Sequence, residues 1–201
     1  SRIEEDRYMW LDRFTIRNLE LVGSANENAL TLVEVLDRTT TPMGARLLKR
    51  WMVMPLKSQS AVDERLNVVD YFYNHRELRD ELIAELAQIG DLERLISKVG
   101  LQRANPREVV QLKRALLAVA KLRGLVAQIE EQSVQRIGDQ LDPCVPIREQ
   151  IETYLNPEPP VSIIKGNVIA AGVNDELDKL RKVAYGGKDY LLEIQRRESE
   201  A

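Results

Sequence analysis

The sequence predicts a mostly α-helical fold: a multi-helix core bundle, a small β-hairpin or short strands near residue 165, and a long C-terminal helix. Three observations predict it. Apolar residues return at every third or fourth position through most of the chain, the period of a one-sided helix. Cap residues and prolines stand where those stripes begin. The composition is leucine-rich, with 10 glycines and 5% aromatic residues in 201, so turn and strand formers are scarce. A chain of this length makes one or two domains and buries a real core.

Residues 1–22 mix charge with apolar positions, and Arg17-Asn18-Leu19-Glu20-Leu21-Val22 partly alternates, as a short strand would. Gly23-Ser24-Ala25-Asn26 reads as a turn. A helix is expected over about 27–37, with Leu30, Val33 and Leu36 or Asp37 at helical spacing. The run Thr41-Pro42-Met43-Gly44-Ala45-Arg46-Leu47-Leu48-Lys49-Arg50-Trp51 is a helix start. Thr41 can cap the free amides of the first turn, and Pro42 fits the first helical position, where no amide donor is needed. Met43, Leu47, Leu48 and Trp51 would seat this helix in a core, and Gly44 would permit a close helix approach. Met54-Pro55 stops it, because the residue before a proline avoids helical geometry.

From Ser60 the stripes follow one another. Val62, Leu66, Val69 and Tyr73 form an apolar stripe, and Asn74-His75-Arg76-Glu77 has the pattern of a capping box. Leu78, Leu82, Leu86 and Ile89 line the next helix. Gly90 ends it, and Asp91 caps a helix with Leu92, Leu95 and Val99 inward. Asn105-Pro106-Arg107-Glu108 combines a cap, a first-turn proline and a glutamate at the third helical position. Val109, Leu112, Leu116 and Val119 follow at coiled-coil spacing. Shorter amphipathic stretches lie at about 133–141 and 145–155.

Asn156-Pro157-Glu158-Pro159-Pro160 is a stiff linker. Val161-Ser162-Ile163-Ile164 and Val168-Ile169-Ala170 flank Lys165-Gly166-Asn167, which reads as a hairpin or two short edge strands. Asn174 caps a last helix striped by Leu177, Leu180, Ala184, Leu191 and Ile194. Gly186-Gly187 within it costs about 1 kcal/mol per glycine relative to alanine, so it marks either a break or a place where a neighbour packs closely. The stripe reaches almost to Ala201 without a stop signal, as expected of a piece cut from a longer protein, and a start at Ser1 rather than Met would be expected of a processed or engineered chain. The organisation expected is an N-terminal segment with a short strand (1–22), a helical core (23–156), a linker with a short hairpin (157–173) and the long helix (174–201).

Little in the chain suggests chemistry. A net charge of −3 gives no global pull toward nucleic acid. One cysteine, Cys144, and one histidine, His75, supply neither an internal disulfide nor a metal set, and a reducing compartment is the simpler assumption. No apolar run approaches a membrane span, and no signal peptide opens the chain. A phosphate-cradling loop needs a lysine and a hydroxyl beside its glycines. Gly166 and Gly172 lack both, and Gly186-Gly187-Lys188 is followed by Asp189. His75 reads as an exposed helix-start residue, Cys144 as a buried small apolar one, and Asp175-Glu176 as first-turn carboxylates facing a helix dipole. Arg107, Arg114 and Lys121 recur every seven residues, with Arg103 and Lys113 nearby. They form either a DNA phosphate-contacting ridge or the solvated face of an amphipathic helix.

Several strings occur in one order: Leu11-Asp12-Arg13-Phe14-Thr15-Ile16-Arg17-Asn18-Leu19-Glu20-Leu21, Leu36-Asp37, the 41–51 run with Pro55-Leu56, and Arg65-Leu66. Gly90-Asp91-Leu92-Glu93-Arg94, Ala104-Asn105-Pro106-Arg107 and Ile169-Ala170-Ala171-Gly172-Val173-Asn174-Asp175-Glu176-Leu177-Asp178 continue the series. On these, and over nearly its whole length, the chain resembles the core and lever region, domain III, of the bacterial MutS family of DNA mismatch-repair proteins. Its structural signature would be Thr41, Pro42, Gly44, Arg46, Leu48, Trp51, Asn105, Pro106 and Asn174.

The resemblance implies a non-catalytic domain that links an ATPase to a DNA clamp through lever helices, the last of which would begin at Asn174. The family's mismatch-probing Phe and Glu lie in a neighbouring N-terminal domain and its ATPase in a distant C-terminal one, so neither has positions here to carry over. The fragment would hold no cofactor, while ATP and Mg would belong to the full-length protein. Implied partners are the connector, clamp and ATPase domains of the same chain, mismatched double-stranded DNA through the full-length protein, a full-length homodimer and MutL, all in the cytoplasm and none in a membrane. The competing reading is a stand-alone helical protein-interaction module, followed by a direct DNA-binding module and, last, an enzyme.

Overall fold

The computed structural model describes residues 7–26 and 29–199. Among them are ten α-helices, one 3-10 turn and no sheet. The chain divides into two compact units, Ser1–Ala104 with Gln111–Val145, and Asn105–Val110 with Pro146–Ala201.

In the first unit, residues 17–22 do not form the expected strand. They end α1 (Arg13–Asn18), which the Asp12 carboxylate starts by accepting the Thr15 amide. Glu20 takes φ +49°, its amide bonds Arg17, and the Leu21 amide bonds Ile16. This double closure satisfies the last helical carbonyls and overrides the weak alternation. The freed carbonyls of Glu20 and Leu21 then accept the amides of Leu32 and Val33 at 2.8 and 2.9 Å. Those amides open α2 (Leu32–Leu36), shorter than the expected 27–37 because Thr31 and Glu34 form a reciprocal capping box. Positions 27 and 28 lie outside the described residues. Val33 is buried, while Leu30 and Leu36 are exposed.

Helix α3 (Pro42–Val53) begins as expected, with the Thr41 hydroxyl accepting the Gly44 amide at 3.0 Å. Its seating differs from the sequence reading. Met43 packs against the core, Leu48 is half-buried, and Leu47 and Trp51 are exposed. Gly44 does not face another helix: a Cβ there would meet Thr41 Oγ1 at 3.2 Å and Thr39 Cβ at 3.3 Å. Close packing at this glycine is therefore against the turn that precedes its own helix. Upstream, Tyr8 pairs with Leu56 in an antiparallel bridge.

Helix α4 (Gln59–Asn74) presents Val68, Tyr71 and Phe72 to the core. The stripe read from the sequence, Val62, Leu66, Val69 and Tyr73, is the exposed one. The capping box expected at 74–77 does not form. Asn74 is still the last residue of α4 and spends its amide on the Asp70 carbonyl. His75, exposed as expected, makes no cap bond to α5 (Arg76–Ile89). Its ring stacks on Tyr71 at 4.0 Å, with Nδ1 2.7 Å from the Tyr71 carbonyl.

Leu82 and Ile89 of α5 are buried and Leu78 and Leu86 pack beside them. Gly90, at φ +68°, turns the chain into α6 (Leu92–Gly100), where Leu95 is buried but Val99 is exposed. Helix α7 (Pro106–Val126) starts on the full capping box, Asn105 Oδ1 accepting the Glu108 amide and Glu108 accepting the Asn105 amide, both at 3.0 Å. Its buried face, Ala115, Leu116, Ala118, Val119, Leu122 and Val126, is broader than a coiled-coil stripe, and Leu112 is only half-buried. Ile129 and the fully buried Val134 of α8 (Gln132–Asp139) complete this core. Cys144 is half-buried rather than buried. It sits at φ +43° with its amide donated to Asp142, so the chain turns there instead of packing the side chain inward.

In the second unit, α9 (Val145–Tyr154) leads into the proline-rich linker. The expected hairpin across 161–170 is absent. Residues Ile163–Lys165 form the 3-10 turn, and Gly166 and Asn167 both take positive φ. Residues 168–170 pair instead with the end of α9: Asn156 donates to Val168, Ala170 donates to Tyr154, and Leu155 bridges Ile169. The C-terminal helix α10 (Asp175–Ser199) starts with Asn174 Oδ1 accepting the Leu177 amide. Gly186 and Gly187 neither break it nor meet a neighbour within 4 Å of a built Cβ. Leu180 and Ala184 of its stripe are exposed, whereas Leu191 and Ile194 fall outside the described side chains. No helix among the described residues is long and apolar enough to cross a membrane.

Candidate functional site

One of the signature residues, Arg46, is held in a charged clasp. Arg46 lies on α3, and its guanidinium donates to both oxygens of Asp91, at 3.0 and 2.7 Å. It also donates to Glu93 Oε2 from Nε and Nη2, at 2.8 and 2.6 Å. Asp91 is at the same time the cap of α6, since Oδ1 accepts the Arg94 amide at 3.2 Å. One arginine fork therefore ties the body of α3 to the first turn of α6, the geometry for which guanidinium suits better than ammonium. The fork, followed by the Arg94 amide, holds the Asp91 carboxyl below the ordinary aspartate range, and the two carboxylates raise the guanidinium's own pKa. Sequence reading identified Arg46 and the Asp91 cap separately. It missed their partnership, although both stand in the strings that carry the family resemblance.

Trp51, also on α3, has the Arg65 guanidinium of α4 3.7 Å from its ring centroid, and burial lowers the Arg65 pKa. Trp51 is thus held by a cation over its face rather than by enclosure.

A second cluster fixes the start of α10. Asp178 accepts the Gly172 amide at 2.6 Å and pairs with Arg181 at 3.1 Å, while Arg181 donates to the Ile169 carbonyl at 2.8 Å. The Gly172 amide, foremost, depresses the Asp178 pKa. With Asn174, these residues lash the first turns of α10 to the segment that precedes it.

The basic positions of α7 are differently engaged. Arg107 donates to the Pro159 carbonyl at 3.0 Å, Lys121 pairs with Glu85 at 2.9 Å, and Arg114 is exposed. Among the described residues, no group of three or more His, Cys, Asp or Glu could hold a metal ion. Asp175 and Glu176 occupy the first turn of α10. The arrangement as a whole fastens helices to one another.

The clasp carries a signed pH dependence. Asp91 has a folded pKa below its unfolded one, so its contribution is present above about pH 4 and is lost as pH falls through the folded value. Arg46→Met removes the main cause of the depression. Thermal melts from pH 6 to pH 2 are expected to show the gap in Tm between the parent chain and Arg46→Met closing below about pH 4. A gap that stays constant across that range would contradict the assignment.

A family model described as MutS domain III matches residues 14–201. The chain is 54% identical over 200 residues to the DNA mismatch repair protein MutS of Bacteroides fragilis and 53% to that of Bacteroides thetaiotaomicron. It is 50% identical over 199 residues to that of Flavobacterium psychrophilum. These alignments take in 99–100% of this chain and 23% of each relative, so the chain spans under a quarter of the length of the curated relatives it matches.

Proposed function

The chain belongs to the MutS domain III family, and we propose that it serves as the non-catalytic core and lever domain of a MutS-type DNA mismatch-repair protein, joining ATPase to clamp and passing conformational change between them. The observation that carries this reading is the anchored start of α10. A helix of 25 residues spans about 38 Å at 1.5 Å per residue. It can pass a displacement along its axis only if its base is fixed; Asn174 caps that base, and Asp178 and Arg181 tie it to Gly172 and Ile169. Two distant ligand sites are coupled when both bias one packed two-state element. On this reading ATP and Mg bind elsewhere in the full-length protein. Mismatched duplex DNA, the connector, clamp and ATPase domains, a second subunit and MutL are partners of the whole, which works in the cytoplasm.

The test is made in the full-length protein. Gly186→Pro removes a helical hydrogen bond and inserts a kink, at a cost of about 3 kcal/mol or more within the helix; Gly186→Ala keeps the helix and serves as the control. The proline variant is expected to retain mismatched-duplex binding and basal ATP hydrolysis, with ATP-triggered release from DNA slowed at least about tenfold, roughly 1.4 kcal/mol in the barrier. Release at the parent rate from a properly folded proline variant would overturn the lever reading.

A further inference from the structure

We propose that Arg181 is the positioning residue that sets the angle at which α10 departs, and that residues 154–156, paired with 168–172, are the fulcrum it grips. The proposal rests on the reading of α10 as a lever and adds the pivot on which that lever turns.

The fulcrum is a patch of backbone closed on itself. The Asn156 amide donates to the Val168 carbonyl and the Ala170 amide to the Tyr154 carbonyl, both at 2.9 Å, and Leu155 bridges Ile169. The chain between them leaves and returns as a compact surface loop, with Ile164 of its 3-10 turn 97% exposed. The patch joins the end of α9 directly to the residues that lead into α10.

Helix α10 grips this patch twice. Arg181 Nη2 donates to the Ile169 carbonyl at 2.8 Å, while Nη1 holds Asp178 at 3.1 Å, and Asp178 accepts the Gly172 amide at 2.6 Å. One contact gives a hydrogen and the other takes one, three residues apart on the same segment. A single contact leaves a helix free to swing about it, whereas two separated contacts fix its direction. Arg181 serves both: one arm of its fork makes the first, and the other orients the carboxylate that makes the second.

The patch is also pinned away from α10. Pro157, Pro159 and Pro160 carry no amide, and the Glu158 amide is taken by Asn156 Oδ1 at 3.0 Å. Another element can hold this stretch of backbone only through its carbonyls, with a side-chain donor. Arg107, in the capped first turn of α7, is that donor, its Nε 3.0 Å from the carbonyl of the buried Pro159. A lever turns only on a support that stays put, and this pin holds the chain just beyond Asn156.

The experiment uses the full-length protein with its native cysteines, Cys144 included, changed to serine. Spin labels are placed at Gln150→Cys on α9 and Ala184→Cys on α10, both exposed positions. Their distance distribution is read by pulsed electron paramagnetic resonance without DNA or nucleotide. Arg181→Gln is expected to widen it at least about twofold, as freeing a hinge at an element's end does. Asp178→Ala removes the second contact and is expected to do the same, which keeps the test open if one variant folds poorly. Arg107→Gln is expected to widen it less, and to add nothing in the Arg181→Gln background, where α10 has already lost its grip. A folded variant at 181 or 178 with an unchanged distribution would overturn the fulcrum, even if its Tm had fallen. Further widening by Arg107→Gln in the Arg181→Gln background would overturn the pin. The distances are read without ATP, so the fulcrum can fail while the release rate of Gly186→Pro still supports the lever, and the reverse.

Discussion

Leu122→Ala is expected to lower the unfolding free energy by about 2–5 kcal/mol, the usual cost of a leucine removed from a packed interior. Leu122 is 5% exposed on α7, in a cluster that draws Leu82 and Ile89 from α5 and Val134 from α8. The cluster is built from more than one helix, so closing the space means moving helices that are also held by other members. The residual cavity then adds to the lost transfer energy. Urea denaturation followed by circular dichroism at the helix band measures the change. In the same experiment on this chain, Leu66→Ala on the outer face of α4 is expected to stay within about 0.5 kcal/mol. A loss below about 1 kcal/mol at Leu122 would mean that the cluster is loosely packed.

Gly138→Ala is expected to destabilise the chain by about 1–3 kcal/mol, the cost of overpacking, against the usual gain of nearly 1 kcal/mol for alanine over glycine in a helix. A Cβ on Gly138 would stand 2.5 Å from Val126 Cγ1 and 3.3 Å from Val126 Cβ. The obstructing atom sits on a β-branched side chain with one preferred rotamer in a helix, so it cannot swing aside as the end of a lysine would. Val126→Ala removes the obstruction and separates the clash from any other defect. In a double-mutant cycle the pair is expected to cost at least about 1 kcal/mol less than the sum of the single changes. Strict additivity would exclude the clash as the cause.

The parts of the fold that were legible in the sequence are those decided within a few residues. The capping box at Asn105–Glu108 and the cap and proline at Thr41–Pro42 form as read, because all their partners lie within one helical turn. Which face of α4 is buried is decided nonlocally. Val62–Leu66–Val69–Tyr73 and Val68–Tyr71–Phe72 both have helical spacing, and only the positions of α5 and α8 decide which of them is buried here. At Gly166–Asn167 the turn was read correctly, yet residues 168–170 pair with 154–156 instead of with 161–164. The alternation at 17–22 is genuine, but the closure of α1 at Glu20 and Leu21 satisfies the backbone sooner. Within the candidate site, Arg46 and Asp91 each stood out, while their bond spans 45 residues and has no local signature.

Because a single carboxylate both begins α6 and receives the guanidinium of α3, the two helices do not fray as separate events. Opening the first turn of α6 releases Asp91 from the Arg94 amide and loosens the fork that holds Arg46. Letting α3 drift withdraws the guanidinium that orients that cap's carboxylate. Local openings in a native protein proceed in cooperative blocks, and Asp91 makes one block of two stretches that the chain keeps far apart. The slowly exchanging amides of α3 and those of the start of α6 should therefore report one shared opening rather than two.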